Sequence, residues 1–211
     1  MRMPSREFMG RLSSKWQSKP VVPTTAIAAG RGFYNGPMRI FLLLALTAWL
    51  GACSPEQNWR QVTFEGTHLK AQLPCKPDRT TREVPLGGAP VQLAVAGCES
   101  GGAMLAVMTA ALAPGADAQA VLQGWQQATL ANLQAPQAEQ AELWQRPGFL
   151  PLGAAQRVAV QGRRADGQAV TAQAVWGAYT EGDHLRVVHA VVYAPKVQAP
   201  LAQILFDGLQ P

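Results

Sequence analysis

Hydrophobic and polar positions change rhythm along this chain, and each change marks an element. An apolar run over residues 40–50, interrupted only by Thr47, gives way to Gly51, Ala52 and Cys53. From Gln61 the pattern has period two, as a half-buried strand requires: Val62 and Phe64, then, beyond a Glu65-Gly66 turn, Leu69, Ala71 and Leu73. This predicts a hairpin over 61–66 and 67–73, stopped by Pro74-Cys75-Lys76-Pro77. A short strand is expected over 82–86. Another is expected over 91–97, with Val91, Leu93 and Val95 on one face. A third covers 103–112, with Leu105 and Val107 opposite Met104 and Met108. Gly87-Gly88-Ala89-Pro90 and Glu99-Ser100-Gly101-Gly102 are the intervening turns.

The period then lengthens. Asp117 follows Pro114-Gly115 as a good N-cap, and Val121, Leu122, Trp125, Leu130 and Leu133 fall mostly at helical spacing. The pattern predicts an amphipathic helix over about 118–133. Residues 134–143, rich in Ala, Gln, Glu and Pro, either extend that helix or form a surface loop. Period two returns over 155–161 and over 168–179, where Val170, Ala172, Ala174, Trp176 and Ala178 share one face. The run 162–167 is a hairpin turn, Thr180-Glu181-Gly182-Asp183 is another, and a strand follows over 184–193. Pro200 suits the first position of a short closing helix, with Leu201, Ile204 and Leu205 as its buried stripe and Gly208 as its stop. Strands, helix, strands, helix is the order of an α+β fold, a mainly antiparallel twisted sheet with helices packed on it. The small Ala and Gly residues in the strands suit close helix packing.

The apolar run of 40–50 is about 16 Å long as a helix, too short for a hydrocarbon core of about 30 Å. Preceded by Met38-Arg39, it has the shape of a secretory signal peptide over 38–52. Its ending, Leu50-Gly51-Ala52-Cys53, resembles the lipobox of bacterial lipoproteins. The resemblance implies that Cys53 is lipidated and becomes the first mature residue. Gly51 and Ala52 let a peptidase approach the backbone, and a thiol forms a thioether with diacylglycerol where a hydroxyl would not. Ser54 beside that cysteine implies sorting to the periplasmic face of an outer membrane. Residues 1–37 form a basic extension, expected to be untranslated, with synthesis starting at Met38, or disordered; the alternative is an over-long leader or an amphipathic organelle-targeting peptide.

Charge reads differently once this leader is set aside. Residues 1–52 hold seven of the eighteen Lys and Arg and one of the thirteen Asp and Glu. The mature part has a net charge near −1, so the basic pI of the whole chain argues little for nucleic acid. Residues 53–58 are a short tether and 59–211 are expected to form a single globular domain. Cys75 and Cys98 remain as an even pair, expected to be disulfide-bonded in an oxidising compartment; the alternative is two separate buried thiols.

The run Val62-Thr-Phe-Glu-Gly-Thr-His-Leu-Lys-Ala-Gln-Leu-Pro74, the mid-chain helix and the terminal Ile204-Leu-Phe-Asp-Gly-Leu209 together resemble PsbP/Mog1-like domains of bacterial lipoproteins. That likeness covers nearly all of the mature chain. It implies an antiparallel sheet covered by helices, often without enzymatic activity, and transfers no catalytic residue.

Candidate chemistry is sparse. Ser100 lies in a Gly-rich turn without the spacing of a nucleophile elbow. His68, His184 and His189 do not form a metal set, since the last two are five apart on one strand and point to opposite faces. Glu65, Glu99, Asp166, Glu181 and Asp183 fall in turns, where solvated acids are usual, and Arg163-Arg164 sits at a hairpin tip. The expectation is a lipid-anchored cell-envelope protein, a non-catalytic binding or assembly module with no cofactor and no metal. Its partners would be the membrane, through the lipid on Cys53, and an envelope protein. The alternatives are an envelope hydrolase with a site scattered over strand ends, or a carrier of small apolar ligands using Trp125, Met104 and Met108.

Overall fold

The computed structural model describes residues 57–135, 138 and 140–211. The extension 1–37, the leader 38–52 and Cys53 lie outside the described residues. Nine strands and two helices follow in order. They are β1 (Arg60–Thr63), β2 (Lys70–Leu73), β3 (Asp78–Leu86), β4 (Ala89–Ser100), β5 (Ala103–Ala111), α1 (Ala118–Asn132), β6 (Gln140–Leu143), β7 (Gln156–Arg163), β8 (Ala169–Glu181), β9 (His184–Ala194) and α2 (Ala199–Asp207). Seven strands form one antiparallel sheet in the order β3-β4-β5-β9-β8-β7-β6, while β1 and β2 pair separately. The class is α+β, mostly antiparallel sheet with two helices.

Strict alternation along the strands gives the large sheet two buried faces, each with its own core. On the first, Val91, Leu93, Val95, Ala106, Met108, Ala174, Trp176, Val187 and Val191 pack beneath α1, which contributes Val121 and Leu122. Asp117 caps this helix as its sequence position predicts, its carboxylate accepting from the Gln119 amide at 2.9 Å. Beyond the helix the chain stays against the sheet. The Arg163 amide donates to the Leu133 carbonyl at 2.7 Å, and a Cβ at Gly162 would stand 2.4 Å from that same oxygen. Only glycine permits so close an approach, because the Leu133 carbonyl and its Cβ, 2.9 Å away, cannot swing aside.

The second face is covered piecemeal. Val62, Ala71 and Leu73 of the β1–β2 hairpin pack over Ala96, Leu105 and Val107, and Leu201, Ala202, Leu205 and Phe206 of α2 pack beside them. Trp144 and Phe149, from the connection between β6 and β7, cross onto this face, where Phe149 stands edge-on to Tyr179 with centroids 5.8 Å apart.

Several expectations are corrected. The strand expected over 82–86 begins four residues earlier, at Asp78. The stretch 134–143, expected as helix or loop, contributes the edge strand β6, whose four residues are all exposed. Ser100 belongs to the end of β4, and the turn proper is Gly101-Gly102, both with positive φ (57° and 73°). That pair suits a two-residue hairpin whose twist matches its strands. Ile204 is 39% exposed, whereas Ala202 and Phe206 join Leu201 and Leu205 in the buried stripe of α2.

Candidate functional site

Cys75 lies just past β2 and Cys98 within β4, and the two are disulfide-bonded with Cα atoms 6.0 Å apart. The bridge fastens the small hairpin to the large sheet. Closing a loop over a sequence separation of 23 residues stabilises by about 3 kcal/mol in the chain-entropy model.

A histidine stack occupies the centre of the first face. Met108, His189 and Trp176 are direct cross-strand neighbours on β5, β9 and β8. The imidazole of His189 lies flat against the Trp176 indole, with centroids 4.3 Å apart and planes 5° apart. Trp125 of α1 meets the same imidazole edge-on at 5.3 Å. Of the residues named for the alternative of an apolar-ligand carrier, Trp125 and Met108 both neighbour His189, and Met104 lies farther along the same face opposite Tyr193. Burial holds the His189 pKa down to about 4, although its bond to the Val175 carbonyl favours the charged form. The ring is therefore neutral at pH 7. Its Nδ1 faces that carbonyl at 3.1 Å, and since a carbonyl only accepts, Nδ1 carries the proton. A neutral ring so enclosed is a core histidine.

Sequence reasoning missed a polar network on the second face. Glu181, expected among solvated turn acids, is the last residue of β8 with a side chain only 16% exposed. Its Oε2 meets Arg186 Nε at 2.5 Å. Its Oε1 accepts from the His68 amide and, at 3.0 Å, from the Thr67 hydroxyl. Because Thr67 gives its proton to Glu181, the Tyr179 hydroxyl, 2.9 Å away, donates to Thr67 Oγ1. Leu69 N also donates to that oxygen, and Thr109 donates to the Val187 carbonyl at 2.9 Å. Burial acts to raise the Glu181 pKa, but the His68 amide, the Thr67 hydroxyl and the Arg186 charge outweigh it and hold the carboxyl below its ordinary value. A carboxylate whose charged form is favoured in this way is a weaker base than a free one. The network pins the 64–69 loop to the sheet.

The remaining candidates stay apart. Glu65, Asp166 and Asp183 are exposed in turns as expected, and Glu99, expected in a turn, is exposed but belongs to β4. His184 is exposed and the His68 side chain is 90% exposed. Among the described residues no group of three or more His, Cys, Asp or Glu is placed to hold a metal ion, and no helix is long and apolar enough to cross a membrane. No protein-family model matches the chain, and no curated protein matches its sequence.

Proposed function

We propose that this chain is a lipid-anchored cell-envelope lipoprotein whose folded part is a non-catalytic binding or assembly module held close to the membrane. The observation that carries this reading is the succession Met38-Arg39, apolar residues 40–50, then Gly51-Ala52-Cys53. The Cys75–Cys98 bridge supports it, because structural disulfides belong to oxidising compartments outside the cytosol. Ser54 supports delivery to the periplasmic face of an outer membrane. The likeness to PsbP/Mog1-like domains is supported by paired strands β3–β5 before α1 and β7–β9 before α2.

The test is the variant Cys53→Ser in cells fed labelled palmitate. Label and membrane fractionation should both be lost, while the Cys75–Cys98 bridge still forms. A variant that remains in the membrane fraction overturns the reading.

A further inference from the structure

The two ends of the large sheet differ in which of them the N-terminal segment adjoins. Asn58 N donates to the Pro74 carbonyl at 2.8 Å, next to Cys75 and its bridge to Cys98. The N-terminal segment therefore leaves beside the end of β4. Register places Ser100 opposite Ala103, Thr171 opposite Ala194 and Gln161 opposite Thr171, so the β4–β5, β9–α2 and β7–β8 connections all hang from this near end. From β4 to β7 the strands cover about 19 Å at 4.8 Å per neighbour. Residues 54–58 reach at most about 18 Å. An anchor at Cys53 thus keeps the near end against the bilayer and turns the far end away from it.

The charges follow this division. Arg60, Lys76, Arg163 and Lys196 are exposed at the near end, with Arg164 half-buried, against Asp78, Glu99 and Asp166. Asp166 is turned onto the Gln168 amide of its own hairpin. Among the described residues none of these five bases is in an ion pair. Val197, beside Lys196, leaves an apolar side chain 57% exposed. The far end carries Glu65, Asp117 and Asp183 exposed, and its partly buried arginines are paired with acids, Arg186 with Glu181 and Arg146 with Asp207.

We infer that the near end, through Lys76, Arg163, Arg164 and Lys196 with Val197 among them, docks on the anionic lipid headgroups of the membrane that holds the anchor. This rests on the lipid anchorage proposed above. The bases meet phosphate oxygens within a Debye length of the surface, and each contributes about fivefold to docking. The far-end acids are repelled by the same surface, which reinforces the orientation.

Hydrogen exchange on the full lipidated chain tests it, compared between neutral detergent micelles and vesicles of phosphatidylethanolamine with phosphatidylglycerol. Amides of 101–103, 164–168 and 196–198 should exchange about tenfold more slowly on the vesicles, with those of 87–88, 115–117 and 182–183 unchanged. The double variant Arg164→Glu with Lys196→Glu should stay palmitate-labelled and lose that protection, and vesicles of phosphatidylcholine alone should give little. Protection at the far end, protection equal on neutral vesicles, or protection kept by the double variant each overturns the docking. A wild-type chain without palmitate overturns the anchorage itself, and is seen before any vesicle is made.

Discussion

The two faces of the large sheet are buried by different means. One helix covers the first, and the contacts beneath it are apolar or aromatic, with His189 neutral at their centre. Three separate pieces cover the second: a hairpin, a short helix and the Trp144–Phe149 crossing. Each piece is tied down by something other than apolar area. The hairpin has the disulfide, its loop has the Thr67–Tyr179–Glu181 network, and α2 has Asp207 paired with Arg146. A two-stranded hairpin of four-residue strands or a nine-residue helix buries too little to hold its own position. The first face rests mainly on continuous burial, with Gln119 and Gln126 of α1 also bonded to the Ala154 backbone, whereas each small piece on the second depends on a tie of its own.

The largest effect that separates the faces should come from Trp176→Ala. It removes a 1% exposed indole and the ring on which His189 lies, and should cost about 3–5 kcal/mol in chemical denaturation. Loss should be global, with all amides of β5, β8 and β9 exchanging together; a loss confined to one strand would count against a single cooperative first face. Replacing both Cys75 and Cys98 by Ser should cost about 3 kcal/mol. Here the earliest amides to exchange should be those of β1 and β2, with α1 unaffected at first.

Acid should act through the first face. The native His189 pKa of about 4 lies below the ordinary value of 6.5, so the unfolded chain binds the extra proton. That contribution is complete above pH 6.5 and is lost as pH falls towards 4, by about 3 kcal/mol in all. Denaturation midpoints at pH 7, 5.5 and 4.5 measure it, and a flat profile would show that His189 protonates without cost. Glu181→Gln should have the smallest effect, about 1–2 kcal/mol, felt mainly as faster exchange at His68 and Leu69. Equal loosening throughout the sheet would show that the network holds more than its loop.

Much of this architecture was legible along the chain because period two and period 3.6 leave plain traces. The face shared by Val170, Ala172, Ala174, Trp176 and Ala178, and the helix opening at Asp117, were read directly. Strand β6 was not legible, since Gln140, Ala141, Glu142 and Leu143 are all exposed and so carry no alternation. The start of β3 was hidden for the same reason, its first residues being polar and at the sheet's edge. The cysteine pair was legible from arithmetic alone. The Glu181 network was not, because its partners Thr67 and His68 lie more than 110 residues away and an acid in a turn looks the same whether solvated or paired.

The borders of the seven-stranded sheet have a consequence for self-association. An open ladder invites a strand from another copy, and a sheet this wide would be a template for aggregation. One border, β3, carries Arg79, Arg82, Glu83 and Pro85, the last lacking an amide to donate. At the other, β6 is four residues long, and past its end Arg163 N of β7 is already bonded to Leu133 O. Growth by strand addition is therefore blunted at both sides. Crowding copies of this chain together should bring them into contact through their covered faces and connections, where contacts are reversible, instead of through shared backbone ladders.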